Sequence, residues 1–438
     1  MKFLQNKFRH AHIFLFFRFF SRLFAFTAFF SSSVFVNLCI FEPAFCALPA
    51  KGSLVIIGGA LRKDNAVVWG KIVQLAGGNG AKIAVIPAAS SDPEGSGSRV
   101  LATFNAYGAR AFLVPLSLSY HDEEGSPTYT RICHAPEWIK QIDQAQAVFF
   151  TGGDQNRIVQ VLRNHDGSNT PLLDAIWRLY RRGGVIAGTS AGAAIMSTTM
   201  FKQTNDLLGT LQHGVHEGKE IGPGLGFIGE HIFVDQHFLI RGRFARMLPA
   251  MLAKSYQIGL GIDENTAMVV HQESEIEIVG YKGALLIDLS QAQKDPGLEH
   301  FNLRGVRLSF LSHGDKLHLH TKEVRASEDK EVVLQGTDDD GASAPRIYPD
   351  ILGNTLILDM MSALIDSQQN TATGLAFNPI DTHQSEIGFE FTLSKTANTK
   401  AYASHNIGAE LLTIVDMQLD VKPVQINFPL YHLLEGSK

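Results

Sequence analysis

The stretch GVIAGTSAGAAI places Ser190 inside Gly188-Thr189-Ser190-Ala191-Gly192, after three apolar residues and before a run of helix formers. A serine held among small residues where a buried strand passes into a helix has the pattern of a nucleophile elbow. The glycines permit a sharp turn, the hydroxyl projects from it, and the helix amino end offers backbone N–H groups, that of Ala191 first, to an oxyanion. The same residues also fit a tight strand-to-helix turn packed for its own sake. A serine nucleophile needs a base, and VDQHFLIRGRFARM supplies His237 behind Asp235 and Gln236 at the end of a strand-like run. Arg241, Arg243 and Arg246 follow, with Arg243 and Arg246 one helical turn apart. Three guanidinium groups beside the base could hold the carboxylates of an acidic substrate, or they could form a solvated helix face. A third stretch, FFTGGDQNRI, runs a buried strand into Gly152-Gly153-Asp154-Gln155. Gly153 is the candidate second oxyanion donor and Gln155 a candidate substrate contact; read alone, the stretch is also an ordinary turn with Asp154 as a helix N-cap.

The elements that must carry these residues alternate from Gly52 onward. SLVIIGGA, KIAVIPAAS, RAFLVPL, AQAVFFTGG and GGVIAGTSAG are short β-branched runs, each followed by a stretch of helical period. The pattern predicts an α/β fold with an open, mostly parallel sheet and helices on both faces, its ligands gathered at the carboxyl edge of the strands. After Leu260, GIDENTAMVV, EIEIVG, ALLIDL and VRLSFLSHGDKLHLHT read as strands joined by tight turns. RASEDKEVVLQGTDDDGASAPRIYPD reads as a linker, so a boundary is expected near Ala326. The expected parts are a catalytic unit over 51–325 and a smaller β-rich C-terminal region over 326–438, of no assignable chemistry. In LHLHTK, His318 and His320 would share one face of a strand near His313. With no accompanying carboxylate or cysteine cluster, an exposed strand is preferred to a metal site, and neither metal nor cofactor is expected.

A chain of 438 residues that is 45% hydrophobic can bury a large core. Its formal net charge of -5, without long runs of Lys or Arg, argues against nucleic acid as a partner. Residues 1–50 differ from the rest: Lys2, Lys7, Arg9, Arg18 and Arg22 punctuate a Phe-rich run, no acidic residue precedes Glu42, and small residues lie near Ala44, Cys46, Ala47 and Ala50. This reads as a secretory signal, with a retained membrane anchor as the lesser alternative, and so as an exported protein, secreted or periplasmic. Of Cys39, Cys46 and Cys133, two fall in that segment, leaving one thiol and no internal disulfide in the mature chain.

GGDQ, GTSAGA, DQHFLIRGRFAR and GIDENTA, in that order, resemble the cyanophycinase family of serine peptidases, relatives of aspartyl dipeptidase. The resemblance implies a serine nucleophile, a histidine base, an acidic third member, and hydrolysis of cyanophycin to β-Asp-Arg dipeptides. Cyanophycin is a poly-aspartate backbone with arginine on each β-carboxyl group. Carried over, Ser190 is the nucleophile and His237 the base, while Gln155, Asp235, Gln236, Arg241, Arg243 and Arg246 line the substrate pocket. The acid is expected to follow the serine, which selects Asp206 in STTMFKQTNDLLGT, with Glu217 and Glu220 in reserve. A peptidase acting on short aspartyl peptides and a non-catalytic binder of acidic ligands are the rival readings; a homodimer is compatible with either.

Overall fold

The computed structural model describes residues 52–434 apart from 203–205, 273, 334–346, 379–385, 405–410, 428 and 431–433. The export signal or anchor expected over 1–50 therefore lies outside the described residues. Among the described residues no helix is long and apolar enough to cross a membrane.

Two large sheets organise the chain. The first runs β3 (Arg110–Leu113), β2 (Lys82–Ile86), β4 (Ala147–Phe150), β5 (Val185–Thr189), β1 (Ser53–Ile57), β10 (Thr266–His271), β11 (Glu275–Gly280), β14 (Lys316–His318), β15 (Val324–Arg325). From β3 to β1 every pairing is parallel, and from β1 to β15 every pairing is antiparallel. The expected mostly parallel sheet is thus half parallel. For β10 and β11 the reason is connection length: three residues separate them in the chain, too few for the crossover that a parallel pair requires.

Alternation along the parallel strands explains why they read as unbroken apolar runs. Leu54, Ile56, Ala84, Ile86, Val148, Phe150 and Ile186 face the helices Pro136–Asp143, Gln155–Leu162 and Pro171–Arg181. Val55, Ile57, Ile83, Val85, Phe149 and Ala187 face Trp69 and Ile72 of the helix Ala66–Leu75 and Phe104 of the helix Pro93–Ala106. Both faces are covered, so in β1, β2, β4 and β5 the residues inside the strand ends are buried whichever face they point to.

The second sheet follows the order β17 (Ile347–Tyr348), β18 (Thr371–Ala376), β19 (Glu386–Ser394), β21 (Leu411–Ile426), β13 (Leu303–Ser312), β12 (Gly283–Asp288), β9 (Ile258–Ile262), β8 (Ile232–Gln236), with β16 (Glu331–Val332) and β20 (Lys400–Ser404) off that path. β21 pairs with β13 from Leu303↔Val421 to Phe310↔Ile414, so the chain after 326 completes a sheet begun before it. Phe233, Phe244 and Leu248 share one apolar cluster with Ile357, Met360, Phe389 and Phe391. The division expected near Ala326 is therefore not a boundary between cores. Lys330, inside the expected linker, has a fully buried side chain; its Nζ donates to Asp315 Oδ1 (2.6 Å), Ser312 Oγ (2.8 Å) and Thr413 Oγ1 (2.9 Å). Those bonds satisfy a cation that burial would otherwise make costly, and they tie the crossing segment to β13 and β21. β6 (Thr199–Phe201) and β7 (Ile221–Pro223) form a separate two-stranded antiparallel sheet, with the helix Leu207–His213 between them in the chain.

The site lies where the carboxyl ends of β1, β4 and β5 of the first sheet meet those of β8 and β9 of the second. The three-residue turn 263–265 joins β9 to β10 and so links the two sheets at that edge.

Candidate active site

Ser190 follows β5 directly and precedes the short helix Ala191–Ala194. Its backbone is at φ 54°, ψ -109°, a conformation that L-residues adopt only under constraint. Two features hold it: its N–H donates to Ile57 O (2.9 Å), and Gly188 and Gly192 pack so closely that a Cβ on Gly188 would collide with the Gly192 carbonyl. Gly192 is confined in turn by β4, since a Cβ on it would collide with the Phe150 carbonyl.

His237, the residue after β8, is also at positive φ (46°), pinned by its N–H to Gly58 O at 2.8 Å. Ser190 Oγ lies 2.9 Å from His237 Nε2, and His237 Nδ1 lies 2.6 Å from Glu264 Oε1. An ionised carboxylate can only accept, so Nδ1 carries the proton shared with Glu264, and in the neutral ring Nε2 is left to accept from the serine hydroxyl. Burial pushes the His237 pKa below the ordinary histidine value; the Glu264 hydrogen bond opposes this, and Arg241 and Arg243 add to it. The ring is thereby kept neutral and ready to take a proton. Gly59 makes room for it: a Cβ there, at φ 115°, would run into the imidazole.

The acid on the histidine is Glu264, not Asp206 or its reserves. Asp206 caps the helix Leu207–His213, its carboxylate accepting from Gly209 N at 2.7 Å. Glu217 pairs with Lys254 (2.7 Å), and Glu220 pairs with Lys219 and His216, which help to draw its pKa down to about 2 against the opposing effect of desolvation. Glu264 stands in GIDENTA, in the turn that leaves β9. The signal was present, an acid at the carboxyl end of a strand, but its partner lies 27 residues earlier and only the pairing of β8 with β9 brings them together.

A cleft of about 370 Å³ opens over this chain of hydrogen bonds, lined by Ala60, Leu61, Trp69, Gly152, Thr189, Ser190, His237, Arg241 and Glu264 among others. Gly152 borders the serine, since a Cβ on it would stand 3.3 Å from Ser190 Cβ and 3.8 Å from Oγ. Gly153, φ 142°, instead lies close against the Ala89 carbonyl. Ala191 opens its helix, where N–H groups have no acceptor within the helix.

The expected pocket residues divide sharply. Arg241 is exposed and lines the cleft. Arg246 is 2% exposed; its Nε and Nη2 each donate at 2.8 Å to the buried Asp235 carboxylate, and its guanidinium lies 4.1 Å from the centre of the Phe201 ring. Arg243 donates to Gln236 O (2.7 Å) and stands 3.7 Å from Asp235; burial first, offset by Asp235, brings its pKa down to about 10. Asp235, Arg243 and Arg246 are consequently a buried ion cluster and do not line the cleft. Gln236 is buried as well, outside the cleft lining. Gln155 spends its Nε2 on the carbonyls of Phe201 (2.5 Å) and Lys202 (2.8 Å), anchoring β6. The histidines of LHLHTK do not share a strand face, because β14 stops at His318 and the chain turns, with His318 Nδ1 accepting from Thr321 N at 3.3 Å. Among the described residues, no group of three or more His, Cys, Asp or Glu could hold a metal ion.

Residues 54–278, just over half of the chain, match the model of Peptidase family S51. A protein named cyanophycinase from Geminocystis herdmanii is 33% identical over 285 residues, covering 63% of this chain and 97% of that protein. Another of the same name, from Trichormus variabilis, is 30% identical over 281 residues, covering 63% of this chain and 88% of its own. The matched span holds Ser190, His237 and Glu264 together with the strands that position them, and the chain belongs to peptidase family S51.

Proposed function

We propose that this protein is a serine peptidase that hydrolyses cyanophycin to β-Asp-Arg dipeptides outside the cytoplasm. The observation that carries the reading is the continuous hydrogen-bonded chain from Ser190 Oγ through His237 to Glu264 at 2.9 and 2.6 Å; that the relatives named above are cyanophycinases supplies the substrate. Ser190 acts as the nucleophile of an elbow. Its Oγ bonds to a backbone carbonyl carbon of the polymer while its proton passes to His237 Nε2. Glu264 holds the ring in the required tautomer and stabilises the imidazolium that forms. The oxyanion is received by N–H groups at Ala191 and in the Gly152-Gly153 turn. Collapse breaks the C–N bond, and His237 returns the proton to the leaving amine. A water activated by the same histidine then cleaves the acyl-enzyme and frees Ser190. Arg241, exposed at the cleft, pairs with a carboxylate of the substrate. Export rests on the basic, apolar amino end of the sequence.

A second reading, a peptidase of short aspartyl peptides, is favoured by one observation: with Arg243 and Arg246 turned into the core, the basic pocket that would set a polymer-degrading enzyme apart is reduced to Arg241. Incubating the purified protein with insoluble cyanophycin and identifying products by mass separates the two. Release of β-Asp-Arg, abolished in Ser190→Ala, is the expected result; an intact polymer alongside cleavage of short aspartyl peptides selects the second reading.

A further inference from the structure

Arg241 ends the single-turn helix Leu239–Arg241, and the next residue, Gly242, is in the left-handed region at φ 58°. Both sides of this turn are held. On one side Ile240 N donates to Asp263 Oδ1 (3.4 Å), and Asp263 immediately precedes Glu264. On the other, Thr355 N donates to Leu239 O (3.0 Å), and a Cβ added to Gly242 would collide with the Leu352 carbonyl. Thr355 starts the helix Leu356–Asp366, whose Ile357 and Met360 join Phe238, Leu239 and Phe244 in one buried cluster; the Phe244 ring lies 5.6 Å from that of Phe391. Leu352, Thr355, Ile357, Met360 and Phe391 all come after position 326, beyond the 54–278 span matched to the family.

We infer that the segment 352–357 is a positioning element for substrate recognition, setting where the Arg241 guanidinium stands over the cleft. The inference rests on the reading of Arg241 as the partner of a substrate carboxylate. It gives the C-terminal region a role at the site: without a backing for Leu239 and a carbonyl packed against Gly242, nothing on that side fixes the turn. Glycine at 242 then has two reasons, its positive φ and the space that Leu352 O occupies.

The test is a double-mutant cycle read on two substrates, a carboxylate-bearing aspartyl peptide and a small neutral ester that needs only Ser190 and His237. Gly242→Ala forces the turn away from Leu352; Ile357→Ala disturbs the backing without touching the turn. Each is expected to raise KM for the peptide about tenfold, the scale of one charge-assisted pair, and to change kcat/KM for the ester less than about twofold. In an Arg241→Ala background neither change should cost anything more. Equal losses on both substrates, or full additivity with Arg241→Ala, would overturn the positioning role. Should Arg241→Ala alone leave the peptide untouched, the reading of Arg241 itself is wrong and the inference goes with it.

Discussion

Two hydrogen-bonded pairs of ionisable side chains sit at the end of β8, their β8-side members two residues apart in the chain. His237 is bonded to Glu264 and opens on the cleft; Asp235 is bonded twice to Arg246 and sealed between β8 and the helix Phe244–Ala253. Both histidine and aspartate are under 10% exposed, so burial does not tell them apart. What does is the unspent bonding capacity. His237 Nε2 faces a serine hydroxyl at the cleft, whereas the Asp235 carboxylate and the Arg246 guanidinium use their facing groups on each other. A cluster of opposite charges close to a nucleophile is not for that reason a recognition pocket; one whose charges are already paired inside the core acts on the site only by holding its backbone. Here it does so through Arg243, which donates to the carbonyl immediately before His237.

The contrast can be broken from either side. Glu264→Gln keeps the side-chain volume and removes the charge that stabilises the imidazolium. A fall in kcat of roughly 10²- to 10⁴-fold is expected, with a melting temperature close to wild type; a retained rate would take Glu264 out of the mechanism. Asp235→Ala strands Arg243 and Arg246 as buried cations and should lower unfolding free energy by about 3–5 kcal/mol in denaturant titration, with any loss of rate shared equally by charged and neutral substrates. Unchanged stability joined to a selective loss on acidic peptides would return the cluster to the substrate pocket. Asp206→Ala removes one N-cap and should cost about 1 kcal/mol with kcat unaltered; a rate loss as large as that of Glu264→Gln would restore Asp206 as the acid. The smallest effect is on pH dependence. His237 is held below the ordinary histidine value, so kcat/KM should rise through a midpoint under that value. Arg241→Ala, by removing a neighbouring positive charge, should move the midpoint upward, and a downward move would show that Arg241 does not act electrostatically on the ring.

Much of this site is legible in the sequence because the physics there is local. Ser190 is flanked by the glycines its own turn needs, and the parallel strands are unbroken apolar runs because both their faces are covered. His237 follows its strand within the chain, so its place at the carboxyl edge follows from where the strand ends. What the sequence hides is pairing across distance. Glu264 reaches His237 only through the β8–β9 ladder, and Gly59 clears space for a ring 178 residues further on. The three arginines have the same residue type and near-equal spacing, yet the turn at Gly242 leaves Arg241 facing solvent while Arg243 and Arg246 turn inward. The linker reading of 325–350 fails at its start for a similar reason: its acidic composition is real, but Lys330 within it finds a buried Asp315 in the turn between β13 and β14.

The central claim, that Ser190 is a nucleophile activated through His237 and Glu264, is tested most directly by covalent capture. A fluorophosphonate probe bonds to an activated serine and can be located by intact mass and peptide mapping. The expected result is a single adduct on Ser190, formed faster as pH rises through the deprotonation of His237 and far more slowly in Glu264→Gln. A probe that leaves Ser190 unmodified, or that labels it as quickly in Glu264→Gln as in wild type, would contradict it.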